Sequence, residues 1–163
     1  MKKWSLWFVL FVVPLYALDQ LTKWIVCENL PKGRGIVVVP GFLEIIHVRN
    51  TGAAFGILQG IPVSWRTIFF LIVTIAACLA IVFILTRQGA EDVFLEAMFY
   101  LVIAGALGNL TDRLRFKEVV DFLNFHIGAL SWPTFNMADT YISIAIVGIF
   151  IRTFVKGKKA RSR

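Results

Sequence analysis

Two aspartates, Asp121 and Asp139, lie in strongly apolar stretches of the sequence, where a charged side chain is costly to bury. Two carboxyl groups held close together at low dielectric cannot both ionise easily, so one keeps a proton while the other stays charged. The charged member can take a proton from water as the water attacks a peptide carbonyl, and the protonated member can donate to the oxyanion or the leaving amine. The sequence therefore predicts that these two residues act as a pair.

Other hydrolytic chemistries lack their residues in this sequence. No serine stands in a Gly-x-Ser-x-Gly turn. His47 and His126 are isolated from one another, without a His-Glu-x-x-His pattern or cysteine partners, which argues against a zinc site. Cys27 and Cys78 are interpreted as packing residues, with no structural disulfide and no histidine within reach.

The composition indicates a protein embedded in a membrane. Of its 163 residues 58% are hydrophobic, and the mean hydropathy is +0.77. Four segments are long enough to cross a hydrocarbon core of about 30 Å as helices; they are residues 4–27, 65–86, 93–114 and 134–155. These spans occupy most of the chain, so a single membrane domain over residues 1–163 is predicted.

The charged residues fit the same interpretation. The formal net charge is +7, but the basic residues flank the spans and form no polar domain that faces a phosphate backbone, so nucleic acid is not the expected partner. Basic tails precede the first span and follow the last one, which predicts that both termini are cytoplasmic; the residues are Lys2, Lys3, Lys156, Lys158, Lys159, Arg161 and Arg163.

The chain between the first two spans has a different pattern. Residues 28–63 contain short β-branched runs separated by proline and glycine, which predicts a small β-sheet on the outer membrane surface. Residues 115–133 are interpreted as a second outer loop that carries Asp121. The predicted fold is all-α integral membrane, with four transmembrane helices and an extracytoplasmic β-sheet cradle between helices 1 and 2.

Polar residues at the outer ends of the first span and of the β-rich segment are further candidates. Asp19 and Lys23 share one helical face, and the pair is either an ion pair at the membrane interface or a brace for a polar site. The run that starts at Arg49, Asn50 and Gly52 is either a plain turn or a ligand loop, because it combines donors with small residues.

The third span carries small and polar residues near its outer end. Gly105 and Gly108 lack side-chain bulk, so another helix is expected to pack closely there. Asn109, Asp112 and Arg113 share one helical face. They are either part of a site or a packing face with an Asp112–Arg113 surface pair.

Five motifs in order along the chain resemble bacterial lipoprotein signal peptidase, also called signal peptidase II. They are Asp19-Gln20-x-x-Lys23, Asn50-x-Gly52-Ala53-Ala54-Phe55, Gly105-Ala106-Leu107-Gly108-Asn109-x-x-Asp112-Arg113, Val119-Val120-Asp121-Phe122 and Phe135-Asn136-x-Ala138-Asp139. The resemblance extends from the first span to the last.

This resemblance implies an intramembrane aspartic endopeptidase of the bacterial cytoplasmic membrane, with Asp121 and Asp139 as its dyad near the outer face. The implied substrates are prolipoproteins, cut just before a cysteine that already carries diacylglycerol. It implies no metal or other cofactor, inhibition by the cyclic peptide globomycin, and a site that Asp19 and Lys23 support; the implied lining residues are Asn50, Gly52, Asn109, Arg113, Asn136 and Ala138.

Two other classes of protein also place carboxylates in membranes. A small proton-coupled transporter uses them as relays, although the inverted repeats or broken helices of such proteins are not apparent here. A non-catalytic lipid-binding protein would use them as structural anchors. A monomer is sufficient for four spans.

Overall fold

The protein is a bundle of four long helices with a small sheet at one end. The computed structural model describes residues 3–52, 60–88, 92–128 and 130–161. The helices are α1 (Lys3–Asn29), α2 (Val63–Gln88), α3 (Val93–Phe116) and α4 (Met137–Arg161). All four are long and apolar enough to cross a membrane, so the chain is a multi-pass membrane protein and the prediction of four transmembrane helices is confirmed.

Helix α3 lies at the centre of the bundle and contacts the other three helices. Its inward face contributes Tyr100, Ile103 and Ala104 to a core that also contains Val12 of α1 and Tyr141 of α4. The outward faces of the helices are apolar. Helix α2 has the highest hydropathy of the four and the smallest buried share. This is the pattern of helices whose outer surfaces contact acyl chains.

The sheet has four antiparallel strands in the order β1-β2-β3-β4. Strands β1 (Gly35–Val39) and β2 (Leu43–Asn50) come from the predicted β-rich segment. Strands β3 (Val119–Ile127) and β4 (Leu130–Ser131) come from the segment interpreted above as a loop. That interpretation was wrong for β3, because pairing with the distant strand β2 satisfies its backbone groups.

The close approach predicted at Gly105 and Gly108 is confirmed. A Cβ atom at Gly105 would overlap the backbone carbonyl oxygen of Ala138, at the start of α4. A Cβ atom at Gly108 would overlap the carboxyl group of Asp19 and would lie 3.3 Å from the Ala138 side chain. Both glycines therefore allow α1, α3 and α4 to meet closely at one level of the bundle.

Two predictions concern parts of the chain that the structure does not describe. The motif residues Ala53, Ala54 and Phe55 lie outside the described residues. The basic side chains of the two tails, from which the orientation is predicted, also lie outside the described side chains.

Candidate active site

Asp121 lies in β3, where it is paired with Val48 of β2, and it is 2% exposed. Both of its carboxyl oxygens accept hydrogen bonds, from Asn50 Nδ2 to Oδ2 at 2.9 Å and from Asn136 Nδ2 to Oδ1 at 2.7 Å. Burial, and then the charge of Asp139, raise the pKa of Asp121 to about 7, although the two amides lower it. Asp121 therefore holds a proton at a pH where a solvated aspartate is ionised.

Asp139 lies in the first turn of α4, and Asn136 caps that helix. The Asn136 Oδ1 atom accepts from the Asp139 N–H at 3.0 Å, and the Asn136 N–H donates to Asp139 Oδ2 at 3.3 Å. Asn109 of α3 donates from Nδ2 to the other carboxyl oxygen of Asp139 at 2.7 Å. Both carboxyl oxygens of Asp139 thus accept hydrogen bonds at the N-terminus of α4.

Asn136 connects the two aspartates. Its side-chain amide contacts Asp121, the Val120 carbonyl oxygen at 3.2 Å and Asn109 Oδ1 at 3.1 Å, while its backbone N–H contacts Asp139. The residue is 0% exposed. One buried residue thus contacts both carboxyl groups.

Both aspartates border one cavity of about 780 Å³. Its volume is within the range of pockets that enclose most of a small ligand. The described residues around it mix polar groups from β2, α3 and β3 with apolar groups from the chain before and within α4. They are Val48, Arg49, Asn50, Thr51, Gly52, Asn109, Arg113, Val119, Asp121, Trp132, Pro133, Thr134, Phe135, Asp139, Thr140, Ile142, Ser143 and Ile144.

A buried ion cluster holds Asn109 in place. The Lys23 ammonium lies 2.9 Å from Asp19 Oδ2 and 3.0 Å from Asp112 Oδ2, and all three residues are at most 2% exposed. The same ammonium donates to Asn109 Oδ1 at 3.0 Å. Asn109 therefore receives one hydrogen bond from the cluster and passes another to Asp139.

The two carboxylates of this cluster also bind backbone groups near the candidate dyad. Asp19 accepts from the Ala138 N–H at 2.9 Å, next to Asp139, and Asp112 accepts from the Val120 N–H at 3.1 Å, next to Asp121. The predicted ion pair between Asp19 and Lys23 forms, but not at an exposed interface, and the alternative of an Asp112–Arg113 surface pair is wrong. The Asp19 pair is buried in the bundle, and Asp112 binds Lys23 instead of forming a surface pair.

Arg113 contacts the loop after β2. Its guanidinium donates to the Gly52 carbonyl oxygen at 3.4 Å and to the Asn109 carbonyl oxygen at 3.3 Å. The guanidinium carbon also lies 3.9 Å from the centroid of the Phe70 ring. Phe70 belongs to α2, so this helix contributes a contact to the site.

Comparison with known proteins shows which family this chain belongs to. The family described as Signal peptidase (SPase) II matches residues 11–155. This chain belongs to the signal peptidase II family. The match includes α2 and α3, most of α1 and α4, and every polar residue of the site described above.

Individual members of the signal peptidase II family are similar to this chain over nearly its whole length. A lipoprotein signal peptidase of Syntrophus aciditrophicus is 41% identical over 159 residues, which is 98% of this chain and 99% of that protein. A lipoprotein signal peptidase of Bacillus pumilus is 39% identical over 147 residues, 90% of this chain and 92% of that protein.

Solved structures show the same fold. A bacterial membrane enzyme determined by the in meso method at 2.3 Å resolution superposes with a TM-score of 0.85 at 35% identity, covering 93% of this chain and 90% of that one. A second such structure, at 1.9 Å resolution, gives a TM-score of 0.79 at 36% identity, with 90% and 91% coverage.

The structure assigns some residues of this signal peptidase II family member differently from the sequence analysis. The resemblance implied that Asn136 and Ala138 line the site. Both are 0% exposed and neither borders the cavity; they contact Asp121 and Asp19 inside the protein. Gln20 was not selected, yet its amide contacts both Asp19 and Asp112. Its place in the run from Asp19 to Lys23 was the available signal.

The expectation that neither cysteine lies near a histidine was wrong for Cys27. Its sulfur lies 3.8 Å from His47 Nε2, because β2 packs against the C-terminal end of α1. Cys27 and Cys78 are both free thiols. Within the described part of the chain, no group of three or more His, Cys, Asp or Glu side chains is placed to hold a metal ion.

Proposed function

We propose that Asp121 and Asp139 form the catalytic dyad of an intramembrane aspartic endopeptidase that removes signal peptides from prolipoproteins. The observation that carries this proposal is that one buried residue, Asn136, contacts both carboxyl groups at the edge of one cavity. Family membership supplies the reaction class, since the similar proteins are named lipoprotein signal peptidases.

The two aspartates differ in a way that assigns their roles. Burial and the neighbouring charge favour the protonated form of Asp121, whose pKa is raised to about 7. Asp139 is the second carboxyl group at the cavity, and its two oxygens accept hydrogen bonds from Asn109 and Asn136. Asp139 is therefore the general base and Asp121 the general acid.

The reaction follows from this assignment. Asp139 takes a proton from a water molecule as the water oxygen attacks the scissile carbonyl carbon, and Asp121 donates its proton to the carbonyl oxygen. Collapse of the tetrahedral intermediate breaks the C–N bond, and the proton held by Asp139 passes to the leaving amine. Asp121 then recovers a proton from the new hydroxyl, so both carboxyl groups return to their starting states.

The lipid on the substrate explains why the site belongs to a membrane protein. Each buried CH₂ group holds an acyl chain in the bilayer by about 0.8 kcal/mol, so a diacylglyceryl-modified cysteine does not leave the membrane easily. We infer that the cut lies just before this cysteine. The cyclic peptide globomycin would then inhibit by occupying the same cavity.

We infer further that the dyad lies near the outer face of the cytoplasmic membrane, that both termini are cytoplasmic, and that residues 1–163 act as a single domain in a monomer. The basic tails support the orientation. Fusions of a cytoplasmic reporter to either terminus should be active. An active periplasmic reporter at the C-terminus would reverse the orientation.

The dyad is tested with the full chain purified in detergent and a diacylglyceryl-modified prolipoprotein. The native chain should cleave it, while Asp121→Asn and Asp139→Asn should cleave at least about 10³-fold more slowly with unchanged thermal unfolding. Glu118→Gln is the matched control, because Glu118 contacts Lys32 in a surface ion pair. Substantial cleavage by either aspartate variant would refute the assignment.

A further inference from the structure

Arg49 borders the cavity, and no step described above uses it. It immediately precedes Asn50, whose side chain contacts Asp121. In the sequence it stood out only as a donor beside a glycine-rich loop. The structure shows how its guanidinium is held and which of its donors is left over.

Three contacts hold the Arg49 guanidinium. Nε donates to His47 Nε2 at 3.0 Å, and Nη2 donates to Cys27 Sγ at 3.3 Å. The guanidinium carbon lies 4.6 Å from the centroid of the Phe116 ring. Residues from α1, β2 and α3 thus contact the guanidinium when no substrate is bound.

The tautomer of His47 follows from its second contact. His47 Nδ1 lies 2.7 Å from the Leu30 carbonyl oxygen, which can only accept a hydrogen bond. Nδ1 therefore carries the proton, and the lone pair of Nε2 is free to accept from Arg49. His47 is 4% exposed, so the ring is held in this orientation by its surroundings.

One donor group of Arg49 is left over. Nη1 is buried and has no hydrogen-bond partner among the described residues. A buried donor without a partner is unfavourable, the more so when the group is charged, so its retention beside a cavity indicates a bound acceptor. The acceptor is expected to be neutral, since the carboxyl groups of Asp121 and Asp139 border the same cavity and disfavour an anion.

We propose that Arg49 is a further substrate-binding residue, whose Nη1 donates to a carbonyl oxygen of the bound prolipoprotein, and that His47 is its positioning residue. This proposal rests on the function proposed above. Sulfur is a weak acceptor, so the contact with Cys27 gives way while the stronger bond from Nε to His47 acts as a pivot. A small rotation about that pivot turns Nη1 toward the cavity.

The first test measures cleavage kinetics of the full chain with Arg49→Met. We expect KM to rise about tenfold with kcat changed less than about twofold, as for loss of one charge-assisted hydrogen bond made equally to substrate and transition state. Arg34→Met is the matched control, because Arg34 is exposed at the outer surface. If Arg49→Met does not fold, Arg49→Lys keeps the charge without the fork and should show the same rise.

The second test asks whether His47 acts through Arg49. His47→Leu removes the acceptor and should raise KM, whereas His47→Gln keeps an acceptor near the Nε2 position and should restore much of the native value. In the Arg49→Met background, His47→Leu should raise KM no further. Additive effects of the two changes on KM would show that His47 does not act through Arg49. An unchanged KM in Arg49→Met with weakened folding would show a structural role. Either result would overturn the proposal.

The carbonyl oxygen that Arg49 binds belongs either to the peptide or to the lipid ester, and substrates with different lipids distinguish the two. A prolipoprotein with ether-linked chains lacks the ester carbonyls of diacylglycerol but keeps every peptide carbonyl. A KM penalty that persists with the ether substrate assigns a peptide carbonyl, and a penalty seen only with the ester substrate assigns the lipid. Failure of the proposed function looks different, because the native chain would then cleave neither substrate.

Discussion

Replacement of Lys23 by methionine tests whether the buried ion cluster supports the fold as well as the candidate dyad. Lys23 is 2% exposed and its ammonium contacts Asp19, Asp112 and Asn109 at 2.9–3.0 Å. Methionine fills a similar volume without the charge. The change leaves two buried carboxylates beside one another with no cation between them.

The expected loss of stability is large. Removing one partner of a buried ion pair costs about 3–5 kcal/mol, because the charge that remains has no compensation. One ammonium serves two carboxylates here, so the cost should lie near the upper end, about 5 kcal/mol. Asn109 also loses the donor that orients it toward Asp139, so cleavage should fall in the protein that remains folded.

A triple variant separates charge from packing. Lys23→Met combined with Asp19→Asn and Asp112→Asn contains no unpaired charge, and each new amide keeps an oxygen for the backbone N–H that the carboxylate bound. This variant should recover most of the lost stability, to within about 2 kcal/mol of the native chain. Its cleavage should stay low, because Asn109 still lacks the ammonium.

The assay is equilibrium unfolding in mixed micelles together with prolipoprotein cleavage. Lys32→Met is the matched control, since Lys32 is exposed and lies 3.6 Å from Glu118, a surface pair worth about 0–1 kcal/mol. Equal unfolding free energies for Lys23→Met and Lys32→Met would refute the reasoning. So would a triple variant that is less stable than Lys23→Met.

Two further predictions concern pH and packing. Cleavage should decline as the pH rises through about 7, because Asp121 then loses the proton that it donates. The Asn50 amide lowers the pKa of Asp121, so Asn50→Ala should move this decline to higher pH. A decline at the same pH in the variant would contradict the role of Asp121 as the acid. Gly105→Ala should destabilise the protein by at least about 1–3 kcal/mol, because the added methyl overlaps the Ala138 carbonyl. Gly60→Ala, which meets nothing within 4 Å, should be nearly neutral in the same thermal unfolding measurement.

Much of the fold follows from the sequence because the bilayer restricts what a chain can do. A spanning segment must satisfy its backbone internally, so a long apolar run specifies a helix almost without regard to its neighbours. The four spans and the close packing at Gly105 and Gly108 are of this kind. Strand β3 is not, because its partner β2 lies some 70 positions earlier in the chain, as the pairing of Asp121 with Val48 shows.

The sequence predicted some features of the candidate site and not others. The cost of burying charge drew attention to Asp121 and Asp139 before any contact was known, and the ordered motifs indicated the family. Residue types alone left Asp112 either in a site or in a surface pair with Arg113, and they gave no reason to associate Cys27 with His47. Those contacts depend on which helix faces which strand.

The sequence by itself determined that this protein spans a membrane, that its carboxyl groups are too costly there to be incidental, and that its motifs are those of signal peptidase II. Only the tertiary structure decided how those groups are connected. Asn136 contacts both aspartates, and Lys23 reaches Asp139 through Asn109. Hydrogen bonds need partners within about 3 Å, and residues far apart in the chain reach that distance only when the helices and the sheet pack together.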